Sequence, residues 1–240
     1  MILCMTGTGT DVGKTIATAA LAAAAEHAGW HVRVAKPIQT GEPAGHGDLA
    51  TVESLTGISD LHECARYPEP LAPVMAARRA GMPTLDLADV AAELAALSSL
   101  SDATSTLLLV EGAGGLMVEL GEGWTIADLA RELSASLVVT TTTGLGSLNH
   151  ALLTLEAIER RGVGCVGLIG GSVPADPDLA TGLTLEEFSA SGGFGPTRVP
   201  WLGGIPQGAG ALTQEKFVRG AHQWISLPRE LNRRRGRGRP

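Results

Sequence analysis

The chain has 240 residues, 44% hydrophobic and only 3% aromatic, with a formal charge of −7 at neutral pH. That length sets a prior of one α/β domain whose core is built mainly from Ala, Leu and Val. The acidic balance argues against a general nucleic-acid binder, and without a run of 18 apolar residues no membrane-spanning helix is expected.

The chain opens on the apolar run Ile2–Met5, read as a strand. It continues as Gly7-Thr8-Gly9-Thr10-Asp11-Val12-Gly13-Lys14-Thr15 into an Ala-rich helix predicted over Lys14–Ala28. Bound phosphates need several backbone N–H groups converging on them. Glycines let the chain approach closely, and a helix N-terminus adds partial positive charge. Lys14 is expected to bridge the β- and γ-phosphates and the Thr15 hydroxyl to ligate Mg²⁺. Five residues separate Gly7 from Gly13 where the common pattern has four. The Gly-Lys-Thr ending between strand and helix identifies a P-loop rather than a dinucleotide turn.

A second strand, Val32–Ala35, runs into Lys36-Pro37-Ile38-Gln39-Thr40-Gly41. At the carboxyl end of a strand beside the P-loop, Lys36 faces the phosphates and supplies a second cation for charge developing during phosphoryl transfer. The polar loop Gly41–Gly47 then leads to Asp48 and a helix over Leu49–Leu55. Asp48 suits a helix N-cap, and its hard oxygens also suit Mg²⁺. A helix over Leu85–Leu100, capped by Asp86, precedes the buried strand Thr106–Val110. That strand ends in Glu111-Gly112-Ala113-Gly114-Gly115, a carboxylate where P-loop proteins place an Mg²⁺-directed acid, followed by glycines that admit a ligand.

A helix over Ile126–Leu133 and a strand over Leu137–Thr140 lead to Gly144-Leu145-Gly146-Ser147-Leu148-Asn149-His150 and a helix over Leu148–Arg160. Ser147 is read as its cap, free N–H groups there suit a carboxylate, and His150 is assigned to packing or capping. The last strands are Cys165–Ile169 and Arg198–Gly203. Residues 172–198, rich in Gly, Pro, Ser and Thr, are read as a loosely ordered excursion. Five Arg stand in residues 233–240. The expected organisation is one domain over 1–228 and a basic, disordered tail over 229–240. Cys4, Cys64 and Cys165 lack metal spacing and the N-terminus lacks a basic n-region, so a reducing, cytoplasmic setting is expected.

Short apolar runs alternating with helical stretches imply βαβ units with right-handed crossovers. The expected architecture is α/β, a single-domain three-layer P-loop fold with a mostly parallel sheet. Ligands in such sheets bind beyond the carboxyl ends of the strands, and the segments singled out above all fall there.

Taken together and in this order, Gly-Thr-Gly-Thr-Asp-Val-Gly-Lys-Thr, Lys-Pro-Ile-Gln-Thr-Gly, Val-Glu-Gly-Ala-Gly-Gly and Gly-Ser-Leu-Asn-His resemble dethiobiotin synthetase. The longer P-loop spacing is a feature of that family. The similarity covers about residues 1–170, with a weaker echo at Val199–Gln207. It implies an ATP- and Mg²⁺-dependent ligase that joins CO₂ to 7,8-diaminopelargonate through a carbamate and a carbamic-phosphoric anhydride. By resemblance Lys36 and Lys14 are catalytic, and Thr15, Asp48 and Glu111 ligate the metal. Nucleotide contacts are implied for Asp11, Val12, Gly13, Lys14, Thr15, Ile16, Asp48, Glu111, Gly112, Ala113, Gly114, Gly171, Ser172 and Pro206. Substrate contacts are implied for Thr10 and Thr40. They are also implied for Gly146, Ser147, Leu148 and Asn149, with the last four reaching the neighbouring subunit of a homodimer.

Many members of the family follow the strand matching Cys165–Ile169 with an Asn-Asp or Asn-Thr pair whose side chains read adenine. Here Gly170-Gly171-Ser172 offers no amide, so weak base selectivity is expected, with CTP, GTP or another nucleoside triphosphate able to replace ATP. Lys36→Ala is expected to slow turnover while leaving the fold intact. The alternatives are a cobyrinate-type amide ligase and a P-loop switch ATPase. The first usually carries a nucleophilic Cys in a glutamine-hydrolysing domain, for which there is no room. The second begins its P-loop Lys-Gly-Gly, where this chain has Thr6-Gly7-Thr8.

Overall fold

Alternation along the strands decides the layering. In strand β4 (Thr106–Gly115), Leu107 and Leu109 point to one core while Leu108 and Val110 point to the other, and all four are fully buried. Only a sheet covered by helices on both faces satisfies a strand apolar on both sides. The computed structural model describes residues 1–99 and 105–232 and has this arrangement.

Strands β1 (Ile2–Gly7), β2 (His31–Thr40), β3 (Leu61–Tyr67), β4, β7 (Ser136–Thr141), β8 (Cys165–Val173) and β9 (Trp201–Pro206) form one seven-stranded sheet in the order β3-β2-β4-β1-β7-β8-β9. Every pairing in it is parallel. A two-stranded ribbon, β5 (Glu119–Gly121) with β6 (Trp124–Thr125), stands apart.

Helices α1 (Lys14–His27), α2 (Asp48–Thr56) and α8 (Gln214–Trp224) cover one face. Ala19 to Ala25 of α1 are buried on every side, apart from Leu21 all alanines, which lets α2 and α8 close over the helix. Helices α3 (Pro73–Ala80), α4 (Leu87–Ser99), α5 (Ile126–Glu132), α6 (Ser147–Arg160) and α7 (Leu179–Phe188) cover the other face. Among the described residues no helix is long and apolar enough to cross a membrane.

The six expected strands and five expected helices are present, most within a few residues of their predicted bounds. The C-terminal end of the helix expected to reach Leu100 lies outside the described residues. Asp86 caps α4 as expected, accepting from the Ala88 N–H at 2.8 Å. Asp48 and Ser147 do not cap. Gly47 and Gly146 hold those positions, and the two side chains turn inward instead.

The region 172–198 is not the loosely ordered excursion expected. Asp178 accepts from the Thr181 N–H at 2.7 Å and starts α7, whose Phe188 is buried and stacked on Trp201. The last strand begins three residues late because Val199 pairs with Phe194 across a short turn in which Arg198 has φ 51°. A short helix, α9 (Arg229–Asn232), buries Leu231, so ordered packing continues past the expected boundary at 228. Residues 233–240 lie outside the described residues.

Candidate functional site

The central position of β1 sets the site. Its carboxyl end delivers the P-loop between β4 and β7, and β2 lies just beyond β4. The loop is bent by residues with positive φ, Asp11 at 57° and Gly13 at 86°. It is pinned by the Thr8 N–H donating to the Thr140 carbonyl at 2.9 Å. Gly13 needs its glycine for space as well as φ, because a Cβ would meet the Gly171 carbonyl oxygen at 2.5 Å.

Five side chains from four elements converge here. The Thr15 hydroxyl donates to Asp48 Oδ1 at 2.8 Å and to Glu111 Oε1 at 3.0 Å. Lys36 Nζ lies 2.5 Å from Asp48 Oδ2 and 3.1 Å from Glu111 Oε1, and donates to the Gly112 carbonyl at 2.9 Å. Lys14 Nζ donates to the Gly114 carbonyl at 2.9 Å.

Burial works to lower the pKa of both lysines. For Lys36, attraction by Glu111 and Asp48 and the hydrogen bonds to them outweigh burial, so its ammonium is held above the ordinary range. For Lys14, burial wins over the attraction of Glu111, and Lys36 adds repulsion, so its pKa falls. Burial would raise Asp48, but the Lys36 charge and the hydrogen bonds from Lys36 and Thr15 hold it below the usual carboxylate range.

These groups open onto a cleft of ≈ 1100 Å³ at the carboxyl ends of β1, β2 and β4. Of the residues singled out from sequence, it gathers Thr10, Asp11, Gly13, Lys14, Thr15, Ile16, Lys36, Thr40, Asp48, Glu111, Ala113 and Gly114. Gly112 reaches it through its carbonyl. Val12 is buried beneath the loop, against Gly7, Gly9 and Gly171.

The others stand apart. Exposed Ser172 and Pro206 sit at the ends of neighbouring strands, with Val173 in register with Pro206. Gly171 is buried under the P-loop, where a Cβ on it would lie 1.8 Å from the Val12 oxygen. Gly146–Asn149 begin α6 beyond β7. There Ser147 Oγ pairs with Thr142 Oγ1 at 2.7 Å, and Leu148 lines a separate hollow of ≈ 890 Å³ with Leu145, Leu179 and Leu183. His150 is exposed, against the expectation of packing or capping.

Two positioning residues escaped the sequence reading. Gln39, buried, accepts from the Asp48 N–H at 3.0 Å and thereby aims the start of α2, while Gly47 leaves room for its amide. Arg66 holds the loop before Asp48, donating to the carbonyls of Glu42, Pro43 and His46 at 2.9, 2.8 and 3.1 Å. Gln39 lay within a recognised motif. Arg66 is held locally by Glu63, and nothing local signalled its hold on the loop, because the carbonyls it grips there lie 20 to 24 residues away.

The donor set fits a small hard cation. A hydroxyl and two carboxylates meet, and Glu111 Oε2 is buried without a hydrogen-bond partner. Among the described residues no three His, Cys, Asp or Glu form a metal cluster, so phosphate and water oxygens would complete the shell. Burial pushes the Cys4 and Cys165 thiols up to about 12, and burial with the charges of Glu93 and Glu63 does the same for Cys64, so the thiolate form is disfavoured at each.

A family model described as an AAA domain matches residues 2–214. The chain is 52% identical over 220 residues to the ATP-dependent dethiobiotin synthetase BioD of Corynebacterium kroppenstedtii, covering 92% of each protein. It is 50% identical over 226 residues to the protein of that name from Rhodococcus jostii, covering 93% of this chain and 94% of the other. Among solved structures, the Aquifex aeolicus MinC:MinD cell division protein complex matches with a TM-score of 0.55 at 14% identity, covering 100% of this chain and 98% of that one. At that identity the likeness speaks for the fold alone.

Proposed function

The chain belongs to the dethiobiotin synthetase family, and from that premise we propose that it closes the cyclic urea of dethiobiotin from 7,8-diaminopelargonate and CO₂ at the expense of ATP. The carrying observation is that Lys14, Thr15, Lys36, Asp48 and Glu111 converge on one cleft at the mouth of the P-loop. One substrate amine takes up CO₂ as a carbamate. The carbamate oxygen attacks the γ-phosphorus, releasing ADP and forming the mixed anhydride. The second amine then attacks the carbonyl carbon, expelling phosphate and closing the ring.

Each chain residue has a defined task. The P-loop N–H groups and Lys14 hold the β- and γ-phosphates, and Lys36 faces the oxygens on which charge accumulates. Thr15, Asp48 and Glu111 hold Mg²⁺. Bound there, the metal supplies neutralisation of phosphate charge. Thr10 and Thr40, on the cleft wall, contact the substrate.

Base selectivity is expected to be weak. Adenine-reading amides have no place at Gly170 or Gly171. A Cβ on the first would meet Trp201 at 2.7 Å, and one on the second would strike the P-loop backbone. Exposed Ser172 and Pro206 border the base instead and demand no particular hydrogen-bond pattern. Purified protein with diaminopelargonate, bicarbonate, Mg²⁺ and each of four nucleoside triphosphates should yield dethiobiotin by mass spectrometry with more than ATP alone. A preference for ATP of about a hundredfold or more in kcat/KM contradicts weak selectivity, and a pocket built to read the base by hydrogen bonds would reach about 10⁴–10⁵. No product with any nucleotide contradicts the activity itself.

A second copy of the chain completes the substrate site. Leu145 and Leu179 are 92% and 80% exposed, and with Leu148 and Leu183 they make an apolar face around Gly146–Asn149. Such a face calls for a partner. Leu183→Asp is expected to convert a dimer to a monomer by light scattering and to raise the KM for diaminopelargonate. An unchanged mass would remove this face from the interface.

A further inference from the structure

Resting on the reading of Thr15, Asp48 and Glu111 as metal ligands, we propose that Lys36 is a resident counter-cation. In the nucleotide-free protein it occupies the carboxylates the metal needs, so a divalent ion enters only together with nucleotide and releases Lys36 toward the phosphate.

An ammonium has three donors and no acceptor. Those of Lys36 are all engaged, by Asp48, Glu111 and the Gly112 carbonyl. It is buried, with 4% of its side chain exposed. The same Glu111 Oε1 also receives the Thr15 hydroxyl. A magnesium-sized ion on these oxygens sits at about 2.0–2.1 Å from each. It would therefore compete with an ammonium bonded to the same two carboxylates, and the two cations would repel where solvent screens little.

Charge balance sets the order. The formal charges of Lys14, Lys36, Asp48 and Glu111 cancel. A metal ion alone adds two positive charges to a balanced cluster in which Lys14, Lys36 and Glu111 are buried and Asp48 is partly exposed. A metal ion arriving with a triphosphate brings its own anion, which the P-loop N–H groups hold and which gives the displaced ammonium a new partner. Lys14 has no such role, since it bonds the Gly114 carbonyl and forms no ion pair with either carboxylate among the described residues.

The test is Mn²⁺ binding without nucleotide, followed by the electron paramagnetic resonance of the free ion and by Tm. The wild type should bind Mn²⁺ only weakly and keep its Tm. Lys36→Met should bind at least about tenfold more tightly and gain Tm on adding Mn²⁺, the scale of a coupling between two competing cations. Lys14→Met should show a clearly smaller gain. Equal affinity in wild type and Lys36→Met overturns the proposal, as does an equal gain in Lys14→Met.

Should Lys36→Met fail to fold even with Mn²⁺, the wild type still decides through its lysine ¹H–¹⁵N signals. The Lys36 ammonium should ignore Mg²⁺ alone and shift with Mg²⁺ and ADP, and a shift with Mg²⁺ alone overturns the proposal. Asp48→Asn separates the two levels. Unchanged Mn²⁺–ADP binding in that variant removes the metal-ligand reading itself. Weakened Mn²⁺–ADP binding there, beside a flat response in Lys36→Met, removes only the counter-cation.

Discussion

Replacing Lys36 by Ala is expected to lower kcat by about 10²–10³, the usual loss when one preorganised charge donor is removed from a transition state. The same change is expected to lower the Tm, and here the structure departs from the sequence reading that left the fold intact. Lys36 bonds Glu111, which is 1% exposed, and Asp48, so its removal strands carboxylates in a dry site. Breaking a buried pair by deleting one partner costs about 3–5 kcal/mol. Because Asp48 is 31% exposed and can rehydrate, the lower end applies. In a chain of this length that is a fall of roughly 6 °C or more. The two effects separate when single-turnover rates are measured well below the lowered Tm with saturating Mg²⁺ and nucleotide. A rate within about threefold of wild type there would take Lys36 out of the chemistry, since a lost charge donor costs far more.

Gly171→Ala is expected to cost about 10²-fold in kcat/KM, although Gly171 touches no cleft. Its φ lies outside the left-handed region, so alanine meets no backbone penalty. The obstacle is steric. The new Cβ would stand 1.8 Å from the Val12 oxygen and 2.8 Å from Thr140 Cγ2. The Thr140 strand cannot give way inside a packed sheet, so the P-loop must rise. Overpacking of this kind costs about 1–3 kcal/mol of stability. A displacement of about 1 Å at the phosphates is enough for the loss in rate. Nucleotide titration of the variant should show weakened binding. Gly182→Ala, where a Cβ meets nothing within 4 Å, should bind as wild type does. Normal nucleotide affinity in Gly171→Ala would mean that the P-loop is not seated on this strand.

Much of this protein is local and therefore legible in its residues. Elements with strong periodicity, such as the buried runs of β1, β4, β7 and β8 and the alanine helix α1, announce themselves through burial on both faces. The P-loop follows β1 directly, and Lys36 and Glu111 stand in the carboxyl-terminal halves of β2 and β4, so their place toward the carboxyl edge of the sheet follows from βαβ connectivity alone. Strand β3 was missed because as an edge strand it is only half-buried and mixes charge with apolar residues, leaving no clean alternation. Helix α7 was missed because two prolines and a glycine mask a start that depends on Asp178 as cap.

Tertiary packing decided the rest. Asp48 reads locally as a cap, but Gln39 and Arg66 fix the backbone before and at the start of α2, and its carboxylate meets Lys36 and Thr15. Gly171 reads as a nucleotide contact that lacks a base-reading amide, and the fold adds that the P-loop lies directly on it. The sequence by itself determined which chemical groups stand at the ends of which strands, because chain direction and right-handed crossovers leave little choice. Only the folded sheet order, which sets β1 between β4 and β7 with β2 beside β4, decided which of those groups touch, because ion pairs and close backbone contacts depend on distances that no local pattern encodes.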